Sequence, residues 1–122
     1  MRVLLSCDME GATGVVSFDQ VSRGTSEYEF GRDMQLKDTL AVIAGAREAG
    51  AHRILINDSH ESMRNLDVRA LPRDVELLSG WPKNLCMMEG APEADVAVLV
   101  AYHAMAGTER AVLDHTMSAA AV

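Results

Sequence analysis

Val3-Leu4-Leu5-Ser6-Cys7-Asp8-Met9-Glu10-Gly11 is the stretch that decides the fold of this 122-residue chain. The apolar run Val3–Leu5 reads as a buried strand, and it empties at once into two acids, Asp8 and Glu10. Side chains of an extended chain alternate between faces, so positions two apart project the same way. Two like charges held that close repel each other unless something positive lies between them. A divalent cation is the usual solution. The plainer alternative is a pair of loop carboxylates that cap a helix or face water.

Two later segments repeat the pattern. Ile54-Leu55-Ile56-Asn57 empties into Asp58-Ser59-His60, and Val96-Ala97-Val98-Leu99-Val100-Ala101-Tyr102 empties into His103. In a parallel sheet all carboxyl ends lie on one edge, where ligands bind. With these three strands parallel, Asp8, Glu10, His60 and His103 gather on that edge from distant parts of the chain. Mixed carboxylate and imidazole donors suit zinc, manganese, cobalt or iron better than magnesium or calcium. A single His after a strand is more often a satisfied polar residue than a ligand. Two of them on the same edge as paired acids favour the metal.

The other imidazoles differ. His52 precedes its strand and belongs to the far edge, as a surface residue. Asp58 or Asn57 is placed to orient the His60 ring, as carboxylates and carbonyls commonly do for metal-bound histidine. His115, beside Asp114, reads equally as surface residue, ligand or acid–base group.

Strand-like and helix-like periodicities alternate, which predicts an α/β fold: a mostly parallel sheet with flanking helices and a metal site at the carboxyl ends of its strands. Residues 11–25 form a long loop rich in Gly, Ser and Thr, a length that usually signals function. Gly11-Ala12-Thr13-Gly14 within it reads as a tight turn that passes close to the site; as a phosphate cradle it lacks the following Lys-Ser/Thr. Thr25 or Ser26 caps a helix over 27–49, with Leu36, Leu40, Ile43 and Ala44 as its packing stripe and Gly50 as its C-terminal cap. A short helix is possible over 62–71 and another near 84–88, with a strand predicted over 75–79.

The chain fits one domain, residues 1–122. A net charge of −7 and a pI near 4.9 argue against nucleic acid, whose phosphates require a basic face. No segment is long enough to span a bilayer or reads as a signal peptide, which points to the cytoplasm. Cys7 and Cys86 give neither a disulfide framework nor zinc-finger spacing, and Cys7 turns away from the acids as a buried structural thiol. The uncapped apolar run 116–122 suggests the front part of something longer, truncated on its C-terminal side.

Ser6-Cys7-Asp8-Met9-Glu10-Gly11 resembles the S-x-D-x-E-G signature of the zinc-dependent D-aminopeptidases of bacterial dipeptide-transport operons. The resemblance continues in order through Tyr28-Glu29-Phe30-Gly31-Arg32, Asn57-Asp58-Ser59-His60, Met88-Glu89-Gly90, Tyr102-His103-Ala104 and His115-Thr116-Met117. It implies two zinc ions per complete active site. The residue matching Asp8 bridges both; those matching Glu10 and His60 complete one site; that matching His103 serves the other. The residue matching His115 is the catalytic nucleophile or proton-transfer group. The resemblance further implies small D-aminoacyl peptides as substrates and a ring-like homo-oligomer. The family's second zinc takes a further Glu from beyond Val122, so that site is incomplete within these residues.

The function expected is metal-assisted removal of N-terminal D-amino acids. One rival is a magnesium-dependent phosphohydrolase or phosphotransferase using the Asp8/Glu10 pair, with no need for His60 or His103. The other is a metal-binding assembly fragment without turnover.

Overall fold

The computed structural model describes residues 1–117; part of the apolar run 116–122 therefore lies outside the described residues. Among the described residues the principal elements are, in order, β1 (Arg2–Cys7), α1 (Tyr28–Glu48), β2 (Arg53–Asp58), β3 (Glu76–Leu78) and β4 (Val96–Val100). The sheet order is β3-β2-β1-β4 and every pairing is parallel. In register, Cys7 stands opposite both Asp58 and Val100, so β1, β2 and β4 finish at one level. The predicted α/β sheet, with its strands ending on one rim, is the fold observed.

Val3, Leu5 and Cys7 point to the α1 side and pack with Ile43, Ile54, Ile56, Leu66, Leu71 and Val100. A second cluster of Met9, Ala12, Val15, Val21 and Tyr28 fastens the loop after β1. The helix follows the predicted span, but its buried stripe is Tyr28, Gly31, Gln35, Thr39 and Ile43. Of the expected stripe, Ile43 is buried in the core and Leu36 and Leu40 pack half-buried against it, whereas Ala44 is exposed. The reason lies in how near the helix comes to the loop: a Cβ on Gly31 would sit 1.8 Å from the Gln20 carbonyl oxygen. At that approach only glycine fits, and the next turns present Gln35 and Thr39 to the end of β1, where Gln35 Nε2 donates to the Cys7 carbonyl.

Neither Thr25 nor Ser26 caps the helix. Glu27 occupies the N-cap without a side-chain bond, because the Thr25 hydroxyl is committed to the Asp19 and Ser22 carbonyls. Gly50, at φ 93°, closes the other end as expected. The loop over 11–25 is more structured than its composition suggests: Ser17 and Gln20 form a reciprocal capping box around a 3-10 turn at Phe18–Gln20. The possible helix over 62–71 is absent; only a 3-10 turn at Val68–Ala70 forms, capped by Asp67. Glu61 and Met63 at φ 47° and 55° are incompatible with a helix before it. The segment near 84–88 is likewise a 3-10 turn, Cys86–Met88. β4 stops two residues short of the predicted end because Ala101 turns left-handed at φ 57°.

Candidate metal centre

The acids meet by a different local route from the one their spacing suggests. Extended structure ends at Cys7, and a turn closed by Ala12 N–H donating to the Met9 carbonyl swings Glu10 back beside Asp8. Gly11 is obligatory in that turn. Its N–H donates to the Ala101 carbonyl at 2.8 Å, and a Cβ there would lie 2.1 Å from the Tyr102 oxygen. The exits of β1 and β4 are thus pressed together, and this brings His103 to Asp8. Under the acids, Ser6 Oγ donates to the Met87 carbonyl at 2.6 Å and receives the Tyr102 hydroxyl at 2.6 Å.

Asp8, Glu10, His60 and His115 are 5%, 6%, 7% and 7% exposed, burial that such polar groups tolerate only in company. Each carboxylate divides its oxygens. Asp8 Oδ1 is 3.3 Å from His60 Nδ1, and Oδ2 is 3.5 Å from His103 Nε2. Glu10 Oε2 is 3.1 Å from His60 Nδ1, and Oε1 is 3.5 Å from His115 Nε2. Two donor groups result, Asp8–Glu10–His60 and Glu10–His103–His115, each with ligand atoms within 4.8 Å of one another.

Every imidazole in the centre is oriented by a backbone carbonyl. His60 Nε2–H donates to Val21 at 2.7 Å, His103 Nδ1–H to Ala104 at 2.8 Å, and His115 Nδ1–H to Leu113 at 2.8 Å. One nitrogen of each ring is thereby occupied and the other is aimed at the carboxylates, the arrangement usual for metal-bound histidine. Asp58 and Asn57 do not orient His60. Asp58 instead accepts from the Asn65 and Leu66 amides, and Asn57 Nδ2 donates to the Cys86 carbonyl. Register explains this: Asp58 pairs with Cys7 and so faces α1, away from the ring. Nothing in the sequence pattern marks Val21 as the residue that holds His60.

His115, left open among three roles, is buried in the centre. Its ring stacks on His103 with centroids 3.5 Å apart and planes 18° off parallel, and Phe18 leans on it at 6.0 Å. Both rings line a cavity of about 450 Å³ with Asp8, Glu10, His60, Phe18, Met63, Trp81 and Met87. His52 is at the opposite edge beside the N-terminus, bonded to Met1. Cys7 is fully buried against Thr39, and burial pushes its thiol up to about 12, so it is no nucleophile.

The electrostatics follow from two carboxylates sharing one ring. Burial opposes charge on His60, yet its bonds to Asp8 and Glu10 outweigh that and push the imidazole up to about 10. Burial likewise opposes ionisation of Glu10, but the His60 partner holds it down at about 2. Asp8 moves the other way, raised by burial and by the charge on Glu10. Two buried carboxylates thus converge on one shared imidazole, and a cation between them would relieve their mutual repulsion. The donor set fits a borderline divalent ion, with nitrogen and oxygen ligands and a carboxylate able to face two positions.

Fold and donors together define an α/β protein with a candidate metal centre at the carboxyl rim of a parallel sheet. The chain belongs to the M55 peptidase family, described as D-aminopeptidase, which matches residues 1–122. A D-aminopeptidase of Bacillus subtilis (strain 168) is 36% identical over 118 residues, covering 96% of this chain and 43% of the relative. The solved Zn-dependent D-aminopeptidase DppA from Bacillus subtilis, described as a self-compartmentalizing protease, superposes with a TM-score of 0.91 at 36% identity. That match covers 97% of this chain and 43% of DppA, so the chain spans less than half the length of both relatives. Among the described residues no helix is long and apolar enough to cross a membrane.

Proposed function

We propose that the protein is a zinc-dependent D-aminopeptidase that removes N-terminal D-amino acids from short peptides. The observation that carries this reading is the convergence of Asp8, Glu10, His60, His103 and His115 on one cavity, each ring with its second nitrogen tied to a carbonyl. Asp8 would serve both zinc positions, since one of its oxygens is turned to the His60 side and the other to the His103 side. Glu10 and His60 would complete the first position, and His103 would serve the second. When bound, zinc supplies Lewis-acid polarisation of the scissile carbonyl and a water whose pKa falls to about 7.

His115 performs the proton work or the attack itself. With Nδ1–H committed to Leu113, the Nε2 lone pair faces the cavity, where it can take a proton and return it to the leaving amine. Phe18, Met63, Met87 and Trp81 wall the cavity with apolar surface that receives a substrate side chain and displaces water. The full protein assembles into a ring-like homo-oligomer, a reading supported by the self-compartmentalizing character of DppA. The magnesium phosphotransfer alternative gains no support, since magnesium prefers oxygen ligands and this rim presents imidazoles.

Assays of D-alanine and L-alanine amides with zinc and with magnesium test the proposal. Zinc-dependent turnover of the D-amide alone is expected. Magnesium-activated hydrolysis of phosphate esters would favour the phosphotransfer reading, and zinc uptake without hydrolysis the assembly reading.

The shifted pKa values give a further expected result. Protein stripped of metal by chelation carries a proton on His60 at pH 8, so adding zinc there should release about one proton. A pH-stat titration reads it directly, and proton-neutral uptake would exclude His60 as a ligand. In the stripped protein, the stabilising effect of His60 is complete below its ordinary 6.5 and disappears as pH rises through about 10. That of Glu10 is present above its ordinary 4.5 and is lost as pH falls through about 2.

A further inference from the structure

Tyr28 and Arg32 do not line the cavity. They lie one helical turn apart on α1 and both reach Asn65, a residue that sequence reading passed over. Tyr28 OH donates to Asn65 Oδ1 at 2.5 Å, and Arg32 Nε donates to the Asn65 carbonyl at 2.6 Å. Arg23 and Arg32 stand over the Tyr28 ring at 5.1 and 5.9 Å from its centroid, pinning the phenol.

Asn65 is 1% exposed and every one of its polar groups is used. Its amide donates to Asp58 Oδ2 at 2.6 Å; Nδ2 donates to Asp58 Oδ1 at 2.9 Å and to the His60 carbonyl at 2.7 Å. The side-chain amide cannot be reversed. Turned over, Oδ1 would face a carboxylate and a carbonyl, three acceptors with no proton among them, and Tyr28 OH would face an NH₂ group. The Asp58 carboxylate and the His60 carbonyl therefore fix which end of the amide faces them, and the phenol holds the oxygen end in place. The hold on the His60 backbone matters because Glu61 and Met63 hold left-handed conformations between the two residues. Such a loop keeps its shape only when its surroundings enforce it.

We propose that Asn65, oriented by Tyr28 and Arg32, is a positioning residue that sets where His60 presents Nδ1 to the zinc site. The proposal rests on the zinc reading above. It explains why the start of α1 bears on a site that it does not line: the helix holds one end of the His60 loop, while Val21 holds the far side of the ring.

The test compares zinc-loaded wild type with Tyr28→Phe, Asn65→Ala and, as a packing control, Ile43→Val. Zinc dissociation constants are measured by competition with a chromophoric chelator. The visible spectrum of the cobalt(II) form reports the ligand field at His60. Asn65→Ala is expected to weaken zinc binding by roughly 10–100-fold. Tyr28→Phe, which deletes one oxygen and keeps the ring, is expected to weaken it several-fold and to shift the cobalt bands. Ile43→Val should lower the melting temperature while leaving both metal readouts at wild-type values. If Asn65→Ala fails to fold, Tyr28→Phe decides alone. Wild-type affinity and spectrum in Tyr28→Phe would overturn the proposal. Absence of zinc uptake by the wild type would instead overturn the functional reading and this proposal with it.

Discussion

Asp8→Ala is expected to lower hydrolysis of a D-alanyl amide by at least about 10³-fold, the equivalent of several kcal/mol of lost transition-state stabilisation. Asp8 has one oxygen turned to His60 and the other to His103, so its removal takes a donor from both proposed metal positions. Neither imidazole can compensate, because each is held by a carbonyl at its rear nitrogen. Zinc content after dialysis should fall with the activity. Stability of the chelated protein should not fall with it. The Asp8 N–H still donates to the Val100 carbonyl at 2.9 Å, and the lost bonds from the Met9 N–H and His60 to Oδ1 are offset by relief of the burial and of the repulsion from Glu10 that disfavour the Asp8 charge. An inactive variant with unchanged or raised urea midpoint is the signature of a functional site kept at the expense of stability. Full zinc content in Asp8→Ala would remove the basis of the proposed function.

His115→Ala is expected to give a different pattern: zinc retained, KM little altered, and kcat lower by about 10²–10⁴-fold, the range of a lost general acid–base group. The Asp8–Glu10–His60 group does not involve His115, which is why uptake at that position should survive. Rapid mixing with an activated D-aminoacyl ester separates the two roles. A burst of product equal to the enzyme concentration in wild type, absent in His115→Ala, marks covalent attack by the ring. Linear release in wild type marks proton transfer. The parallel stack on His103 favours the second, because an imidazole packed face to face at 3.5 Å has little freedom to carry an acyl group.

Much of this was legible in the chain because strand ends are local features. An apolar run followed at once by polar residues marks where a buried strand meets solvent, and three such exits carry Asp8, Glu10, His60 and His103. The helix was legible from its periodicity and from Gly50, but not the whole of its buried stripe. Gln35 and Thr39 look solvent-facing by composition, and only the contact of Gly31 with the Gln20 carbonyl rotates them inward. The 62–71 segment misled for a related reason: its residues tolerate helix, but Asn65 and Leu66 are recruited by the buried Asp58 carboxylate, and the chain must turn to reach it.

The parallel α/β layout, the long helix and the donor residues at the rim were thus readable from the chain, whereas the short helices expected over 62–71 and near 84–88 were not. What was readable depends on hydrophobic burial and on the two-residue and 3.6-residue periods, which are properties of neighbouring positions. Only the tertiary structure decided which nitrogen each imidazole presents, how each carboxylate divides its oxygens, and that His115 lies inside rather than at the surface. These are set by single hydrogen bonds to the carbonyls of Val21, Ala104 and Leu113. Every residue carries the same carbonyl, so side-chain identity cannot mark which one a folded chain will bring to a ring.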